Sequence, residues 1–231
     1  DEYTVSANKN TYSSKTQIGQ LALTGEAIKW APSLAGESNI MSVLKTLPGV
    51  SAGKEGSSEL FVRGGSYDQN QILLDKSPVY NLNHAFGLLS VFNSSAIKNV
   101  TLFKEGIPSE FGGRLSSVLD VSVKEGNRKN YTGDFTVSTV AATATAEGPI
   151  VKDKASFLIS ARRSWPDILV TGITAGNQND MVIGYYFMDI NAKTNFSVGE
   201  KHHFYISYYT GQDKLFAKSE TAGQKSKMEQ G

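Results

Sequence analysis

Residue types that could carry out catalysis or hold a metal are present, but their spacing does not group them. The chain has three histidines, His84, His202 and His203. They are too few and too scattered for a zinc site of the usual spacing. Asp68, Asp75 and Glu105 could serve as acids or bases, but nothing in their spacing pairs them. Neither the GxSxG elbow of hydrolases nor a P-loop occurs, so we expect no catalytic and no metal-binding residue.

Two glycine pairs, Gly64-Gly65 and Gly112-Gly113, are interpreted as backbone bends and not as phosphate loops. A phosphate-binding loop leads into a helix, and neither pair is followed by a helical pattern. The chain has no cysteine, which excludes a disulfide framework and a thiolate metal site. We therefore expect no cofactor, and the sequence favours a binding or transport function over an enzyme.

Net charge and hydropathy further restrict the class of protein to which this chain can belong. The 231 residues include 23 Lys and Arg against 22 Asp and Glu, so no bulk positive charge favours a nucleic acid. No apolar run reaches the roughly 18 residues that a membrane-spanning helix needs. The strands of a transmembrane β-barrel alternate in hydropathy, so this class of membrane protein stays compatible with the sequence.

The first half of the chain reads as a small α+β unit with short strands and many turns. A hairpin is predicted over Leu60–Asp75, from two extended runs joined by a polar loop. Before it, Thr24 is placed to cap a short helix that runs to Lys29. A second helix is predicted over Glu37–Leu47, with Ser38 as its N-cap. Two further strands are predicted at Val100–Phe103 and Val118–Val123. We expect a small mixed β-sheet with short helices.

The second half changes to long segments with period-two alternation. Four strands are predicted, at about 131–147, 154–165, 184–198 and 203–213. Within 184–198, Tyr186 and Phe196 lie near the ends of an apolar face, and Asp189 and Lys193 lie on the opposite face. This pattern is typical of a barrel strand with an apolar outer band and a polar lumen. A soluble β-sandwich also alternates, but strands of this length exceed its usual five or six residues.

The end of the chain lacks the alternation in hydropathy of the preceding segments. Residues 214–231 are polar, charged and without periodicity, and they are expected to form a truncated outer loop. Four strands cannot close a barrel, and an open sheet edge cannot lie in lipid. We therefore expect a fragment: an α+β unit followed by antiparallel transmembrane β-barrel strands of a truncated barrel.

Three stretches carry a resemblance to a known family. They are LKTLPGV (Leu44–Val50), LFVRGGSYDQNQILLDKSPVYN (Leu60–Asn81) and IKNVTLFKEGIPSEFGGRLSSVLDVSVKEG (Ile97–Gly126). With the switch to barrel-like strands, the chain resembles the TonB-dependent outer-membrane receptors, in particular those of Bacteroidetes-type bacteria. The resemblance implies a coupling-box-like segment and linker at 1–20 and a plug domain at 21–127. It further implies the first four barrel strands within 128–213 and a truncated outer loop at 214–231.

The resemblance also implies three sets of site residues. The plug loops that would face a ligand are Ser66, Tyr67, Asp68, Gln69, Asn81, Asn83 and His84. The latch between plug and barrel wall would be Arg63 and Arg114. The segment that couples to TonB would be Asp1, Glu2, Tyr3, Thr4, Val5, Ser6 and Ala7.

The function implied by the resemblance is nutrient uptake across the bacterial outer membrane, with the plug facing the periplasm within the barrel. The ligand would be a siderophore, a glycan, a corrinoid or a peptide, and it would enter chemically unchanged. TonB would bind the coupling segment by β-strand addition. Outer-membrane lipid would surround the barrel, a surface lipoprotein would be a further partner, and nucleic acid would not. A soluble β-rich binding or adhesion module without transport stays open as the alternative.

Overall fold

Two bodies of structure make up the described part of the chain, a mixed sheet with short helices and a long antiparallel sheet. The computed structural model describes residues 19–29, 33–34, 36–53, 59–169, 182–199, 201–221 and 224–230. The predicted coupling segment, Asp1–Ala7, lies outside these residues. We call the described residues up to 127 the N-terminal unit, and the six strands that follow it the strand wall.

The N-terminal unit contains eleven of the described strands and two short α-helices. Its elements begin with β1 (Gln20–Thr24), α1 (Gly25–Lys29), β2 (Ser33–Leu34), β3 (Glu37–Ser38), α2 (Ile40–Lys45), β4 (Val50–Ala52) and β5 (Leu60–Val62). They continue with β6 (Asn70–Leu74), β7 (Ser77–Pro78), β8 (Asn83–His84), β9 (Leu89–Ser90), β10 (Ile97–Phe103) and β11 (Ser117–Val123). The main sheet has the order β1-β10-β11-β6-β7, in which only β11 and β6 run parallel. This is the predicted mixed sheet with short helices.

The predicted Leu60–Asp75 hairpin is wrong, because its two strands do not pair with each other. β5 pairs with β4, and β6 lies between β11 and β7. Ile72, Leu73 and Leu74 are all buried, so β6 has both faces covered. A strand buried on both faces favours a central position with a partner on each side. Leu60–Val62 therefore pairs with β4, the strand that precedes it in the chain.

The second helix begins at Ile40, three residues later than predicted, and Asn39 is its N-cap instead of Ser38. The Asn39 side chain accepts a hydrogen bond from the Met41 backbone N–H at 2.9 Å. Ser38 belongs to β3, and its hydroxyl donates to the Lys29 carbonyl at 3.2 Å. The first helix agrees with prediction, since the Ala27 N–H donates to Thr24 Oγ1. Among the described residues, no helix is long and apolar enough to cross a membrane.

The contribution of the Asn39 cap to stability can be measured by substitution. Asn39→Ala is expected to destabilise the N-terminal unit by about 1 kcal/mol, because a buried cap acceptor is lost. Ser38→Ala should change stability by less than about 0.5 kcal/mol, as is usual for partly exposed positions. The thermal unfolding midpoints of the two variants measure the difference. Equal shifts would mean that the cap contributes nothing specific.

The strand wall contains six described strands in sequence order. They are β12 (Thr132–Val137), β13 (Ala141–Val151), β14 (Ala155–Ser164), β15 (Val182–Val198), β16 (His202–Thr221) and β17 (Gln224–Gln230). Each pairs antiparallel with the next, and β15 pairs with β16 over seventeen positions from Val182↔Lys218 to Val198↔His202. The long antiparallel strands confirm the fold class predicted for this half of the chain.

The predicted strand boundaries need two corrections. The span 131–147 is two strands, because a turn at Ser138 separates β12 from β13. There the Ser138 hydroxyl accepts hydrogen bonds from the backbone N–H groups of Val140 and Ala141. Such side-chain bonds favour a turn over a continuous ladder. The predicted outer loop at 214–231 is largely strand, since β16 continues to Thr221 and β17 follows. The end of β16 is held by backbone hydrogen bonds to β15, and these bonds do not require side chains that alternate in hydropathy. The sequence pattern therefore did not indicate a strand here.

The two faces of the wall have the polarity predicted for a barrel. On β15, Asp189, Asn191, Lys193 and Asn195 are buried against the N-terminal unit. The opposite face exposes large apolar side chains, among them Ile159, Phe196, Phe204, Ile206 and Tyr208. A soluble sheet places its apolar face inward, and here the order is reversed. The N-terminal unit is therefore packed on a polar surface, while its own core is apolar, built around Ile28, Leu44, Val100, Leu119 and Val121.

Candidate functional site

A buried cluster of charged side chains joins the end of β8 to the middle of the wall. His84 terminates β8, and its side chain is 1% exposed. Its Nε2 lies 2.7 Å from Asp189 Oδ1 on β15, and its Nδ1 lies 3.0 Å from Asp213 Oδ2 on β16. Each ring nitrogen therefore has a carboxylate oxygen within hydrogen-bond distance. The ring is stacked on Phe187, with centroids 4.5 Å apart.

Arg162 on β14 neutralises the same carboxylate from the other side. It lies opposite Asp189 in the wall register, and its Nε and an Nη donate to Asp189 Oδ2 at 3.0 and 2.6 Å. The guanidinium also donates to the Ser90 carbonyl of β9 at 2.7 Å and approaches Glu37 Oε2 at 3.6 Å. We call His84, Arg162, Asp189 and Asp213 the histidine cluster. It ties two segments of the N-terminal unit to three wall strands.

A second buried contact, the lysine cluster, consists of Asp75, Lys193 and Ser207. Asp75 and Lys76 both have positive φ, 46° and 68°, and they form the two-residue turn between β6 and β7. This is the geometry of a type I′ hairpin turn. It holds the Asp75 carboxylate 2.8 Å from Lys193 Nζ on β15 and 2.6 Å from the Ser207 hydroxyl on β16. The Val123 N–H donates to the same carboxylate at 3.0 Å, so each oxygen is hydrogen-bonded.

The two clusters fix the position and the rotation of the N-terminal unit on the wall. Asp189 and Lys193 are four residues apart on one strand, which corresponds to about 13 Å. Buried charges that lose a partner are costly, although an intact pair contributes little net stability. The arrangement therefore favours one docked position strongly over slightly shifted ones. Each buried carboxylate is already paired with a cation, so neither cluster has the free base and acid of a hydrolytic site.

The predicted latch residues have other partners in the described residues. Arg63 pairs with Glu105 inside the N-terminal unit, and its side chain is about half exposed. The hydrogen bond from Arg63 holds the pKa of the Glu105 carboxyl below its ordinary value. An Nη of Arg114 donates to the Asp68 carbonyl at 2.8 Å, again within the unit. Asp75 and His84 are among the residues that contact the described wall strands. A latch role of Arg63 and Arg114 stays a prediction.

The predicted ligand-facing residues separate into two groups. Ser66, Tyr67 and Asp68 are exposed on a 3₁₀ turn, which Gln69 closes by accepting a hydrogen bond from the Ser66 N–H at 3.1 Å. Asn81 is exposed and Asn83 is partly buried, with its backbone N–H donating to Asn81 Oδ1 at 3.4 Å. His84 differs from all of these, because it lies in the buried histidine cluster and not at an exposed loop tip. The assignment of the exposed residues to ligand binding stays a prediction.

Sequence reasoning assigned no site role to Asp75, Arg162, Asp189, Lys193 or Asp213. One signal was present, since Asp189 and Lys193 stand on the polar face of a long alternating strand. A charge on the lumen side of a barrel strand needs a partner when the lumen is filled. The identity of that partner could not be read, because His84 and Asp75 are more than 100 residues away in the chain.

Comparisons with known proteins indicate the same architecture, a plug domain followed by long antiparallel strands. Residues 32–117 match the family model TonB-dependent Receptor Plug Domain, a domain of receptors and transporters and not of enzymes. The chain is similar in fold to the siderophore receptor PirA from Pseudomonas aeruginosa, with 16% identity and a TM-score of 0.54 over 92% of this chain. It is also similar to the copper transporter OprC, with 12% identity and a TM-score of 0.57 over 91% of this chain. The chain spans 41% and 34% of those two structures. A search of curated proteins finds no significant match.

Proposed function

We propose that this chain, which carries a TonB-dependent receptor plug domain followed by antiparallel barrel-type strands, is part of an outer-membrane receptor that admits a nutrient to the periplasm. The observation that supports this most is the docking of the N-terminal unit onto a polar wall face through two buried ionic clusters. A domain held in this way blocks the space that the wall faces. It can also be released, because its attachment is polar and can be replaced by water.

The orientation follows from the connections between wall strands. β13 and β14 are joined by three residues, and β15 and β16 by three. At the opposite edge of the wall, three residues join β12 to β13, seventeen join β14 to β15 and two join β16 to β17, so the long connection lies at that edge. In outer-membrane barrels the short turns face the periplasm and the long loops face outward. The histidine cluster is then nearer to the outer surface and the lysine cluster nearer to the periplasm. The exposed apolar face, with Phe204 and Ile206, would contact lipid.

The mechanism requires binding and release but no covalent chemistry. A nutrient would bind from outside, at the exposed loops Ser66–Gln69 and Asn81–Asn83 and at outer wall loops. TonB would pair with DEYTVSA as an added strand and pull the N-terminal unit. PirA is named as a siderophore receptor and OprC as a copper transporter. We propose for this chain the broader class, a small nutrient such as a siderophore, glycan, corrinoid or peptide, with a surface lipoprotein as a further partner.

A proline substitution in the coupling segment tests this function. Val5→Pro removes a backbone N–H that an added strand needs, while Val5→Ala keeps it. We expect Val5→Pro to weaken binding of the periplasmic domain of TonB by at least about tenfold, and Val5→Ala by less than about threefold. The complete gene should be expressed in a strain that lacks its own copy, and binding measured on the purified receptor by calorimetry.

Growth gives the second readout of the same variants. Ferric siderophores, cobalamin, oligosaccharides and peptides, each offered as the limiting nutrient, identify the ligand by the growth defect of the deletion strain. Val5→Pro should reproduce that defect, and Val5→Ala should grow as the wild type does. Normal growth and normal TonB binding with Val5→Pro would remove the coupling role. The soluble alternative is supported if the purified protein stays monodisperse without detergent.

A further inference from the structure

The polar face of the wall carries an apolar region beside the histidine cluster. There Phe187 and Ala141 are fully buried and pack together with Leu89 of β9. Val140 and Ala85 pack against the same residues. A cavity of about 240 Å³, which we call the outer cavity, adjoins this region. Its lining includes Ala85, Val140, Ser164, Ile183, Tyr185 and Phe187.

The outer cavity lies at the edge of the wall that has the long connection. Ser164 is the last residue of β14, Ile183 is the second residue of β15, and Val140 directly precedes β13. Ala85, which follows His84 in the chain, lines the cavity from the side of the N-terminal unit. A group in this cavity would therefore contact both the unit and the wall, at the edge that the proposed orientation places outward.

The polar side chains in the lining are already hydrogen-bonded within the protein. The Ser164 hydroxyl accepts from the Phe187 N–H at 2.9 Å. The buried Asp167 carboxylate, which also lines the cavity, accepts from Arg163 at 2.8 and 3.4 Å. The Tyr185 hydroxyl donates to a carboxylate of the histidine cluster. A group that enters the cavity therefore replaces none of the hydrogen bonds that it made to water.

The size and polarity of the outer cavity select the kind of group that fits. Apolar cavities of roughly 150 Å³ stay free of water and bind benzene or xenon. At about 240 Å³, the outer cavity has room for about one or two aromatic rings. A bare sugar ring or a charged group is disfavoured, because its polar atoms would leave water without a new partner.

From these observations we infer that the outer cavity binds an uncharged apolar group of the nutrient, of the size of an aromatic ring system. The inference rests on the proposed function and specifies its ligand class. A chelator that bears aryl groups or a peptide with an aromatic side chain fits this cavity, and an unsubstituted glycan does not. The polar remainder of the nutrient would contact the exposed loops Ser66–Gln69 and Asn81–Asn83.

An occupant of the outer cavity would also stabilise the docked position of the N-terminal unit. Ala85 and the wall residues form the cavity together, so it exists only while the unit is docked. Phe187, one of the lining residues, is the ring on which His84 is stacked. A ligand that binds only the docked state shifts the equilibrium toward it by mass action. Binding should therefore raise the temperature at which the unit unfolds.

The experiment uses 4-iodobenzyl alcohol as an uncharged aromatic probe, soaked into crystals of the complete receptor. Iodine is expected in the outer cavity of the wild type, located by its anomalous scattering. Val140→Phe fills the cavity and should abolish this signal. Val151→Phe, the same substitution at an exposed position of β13, is the matched control and should keep it. No iodine in the wild-type cavity would overturn the inference. Iodine in both the wild type and Val140→Phe would overturn it too, because the probe would then be an adventitious additive only.

Thermal unfolding of the same receptors in detergent gives a second measurement. The probe should raise the midpoint of the wild type and of Val151→Phe, but not that of Val140→Phe. Val140→Leu adds a single methylene and serves if the larger ring prevents folding, and it should weaken binding of the probe by about threefold to tenfold. An equal rise in the midpoint of every variant would contradict a site in the outer cavity.

Growth of whole cells tests whether the nutrient itself uses the cavity. With a limiting nutrient that bears an aromatic group, Val140→Phe should raise the concentration for half-maximal growth by at least about tenfold, since burial of the ring is lost. Val151→Phe should grow as the wild type does. A wild-type receptor that takes up a nutrient without any apolar group, equally well with Val140→Phe, would refute the ligand class.

These readouts separate the inference from the function on which it rests. Soaking and thermal unfolding need neither TonB nor uptake, so a cavity without iodine leaves the coupling and growth experiments with Val5→Pro unaffected. In the opposite case, a receptor that does not bind TonB would still bind 4-iodobenzyl alcohol in the outer cavity. The cavity would then be a binding site in a protein whose transport function had failed its own test.

Discussion

Asp189→Ala should lower the unfolding free energy of the N-terminal unit on the wall by about 3–5 kcal/mol, as expected for breaking a buried ion pair from one side. The substitution removes the carboxylate that Arg162 and His84 share. Their side chains are 3% and 1% exposed, so water cannot replace it without opening the interface. Asp189→Asn keeps the volume and one acceptor, and it should cost less than the alanine variant.

The measurement is the unfolding transition of the N-terminal unit in the full-length receptor, followed by calorimetry in detergent micelles. Asp134→Ala is the matched control, because it also removes a wall carboxylate from an ion pair with the unit. That pair is exposed, and its loss should cost less than about 1 kcal/mol. If both variants shifted the transition equally, the histidine cluster would not be what holds the unit.

Lys193→Met is the second substitution with a large expected effect, about 3 kcal/mol of docking stability. Methionine fills the space of the lysine stem but leaves the Asp75 carboxylate without its cation. The Ser207 hydroxyl and the Val123 N–H still donate to that carboxylate, so the loss should be at the lower end of the range for buried pairs. Adding Asp75→Asn to Lys193→Met should recover part of the loss, because no buried charge then remains.

Lys98→Met is the control for this variant. Lys98 pairs with Glu125 at 2.7 Å, but both side chains are about half exposed, so the substitution should cost less than about 1 kcal/mol. Calorimetry on the same receptor compares the two. A Lys193→Met receptor that unfolds with the wild type would show that Asp75 is stabilised by its hydrogen-bond donors alone. The double variant distinguishes this case, since it would then be less stable than Lys193→Met.

Local pattern accounts for the parts of the structure that could be predicted. Alternation along 184–198 gave the polar and apolar faces of β15, because side chains on a strand alternate whatever the strand pairs with. Thr24 could be assigned as a cap for a similar reason, since the backbone N–H that donates to its hydroxyl lies only three residues away. The boundaries at 131–147 and 214–231 were wrong, because there the backbone ladder and a serine turn decided the outcome and not hydropathy.

The sequence by itself determined that a mixed α+β unit precedes long strands with one polar face, and its motifs identified the domain. Only the tertiary structure decided which charges hold the two together. Asp75 and His84 contact the wall, because pairing across 118 and 105 residues depends on the register of β15 and the angle of docking. The latch role of Arg63 and Arg114 stays a prediction. Neither the strand register nor the docking angle can be read from local sequence, because the same residue type occurs both as a buried and as an exposed charge.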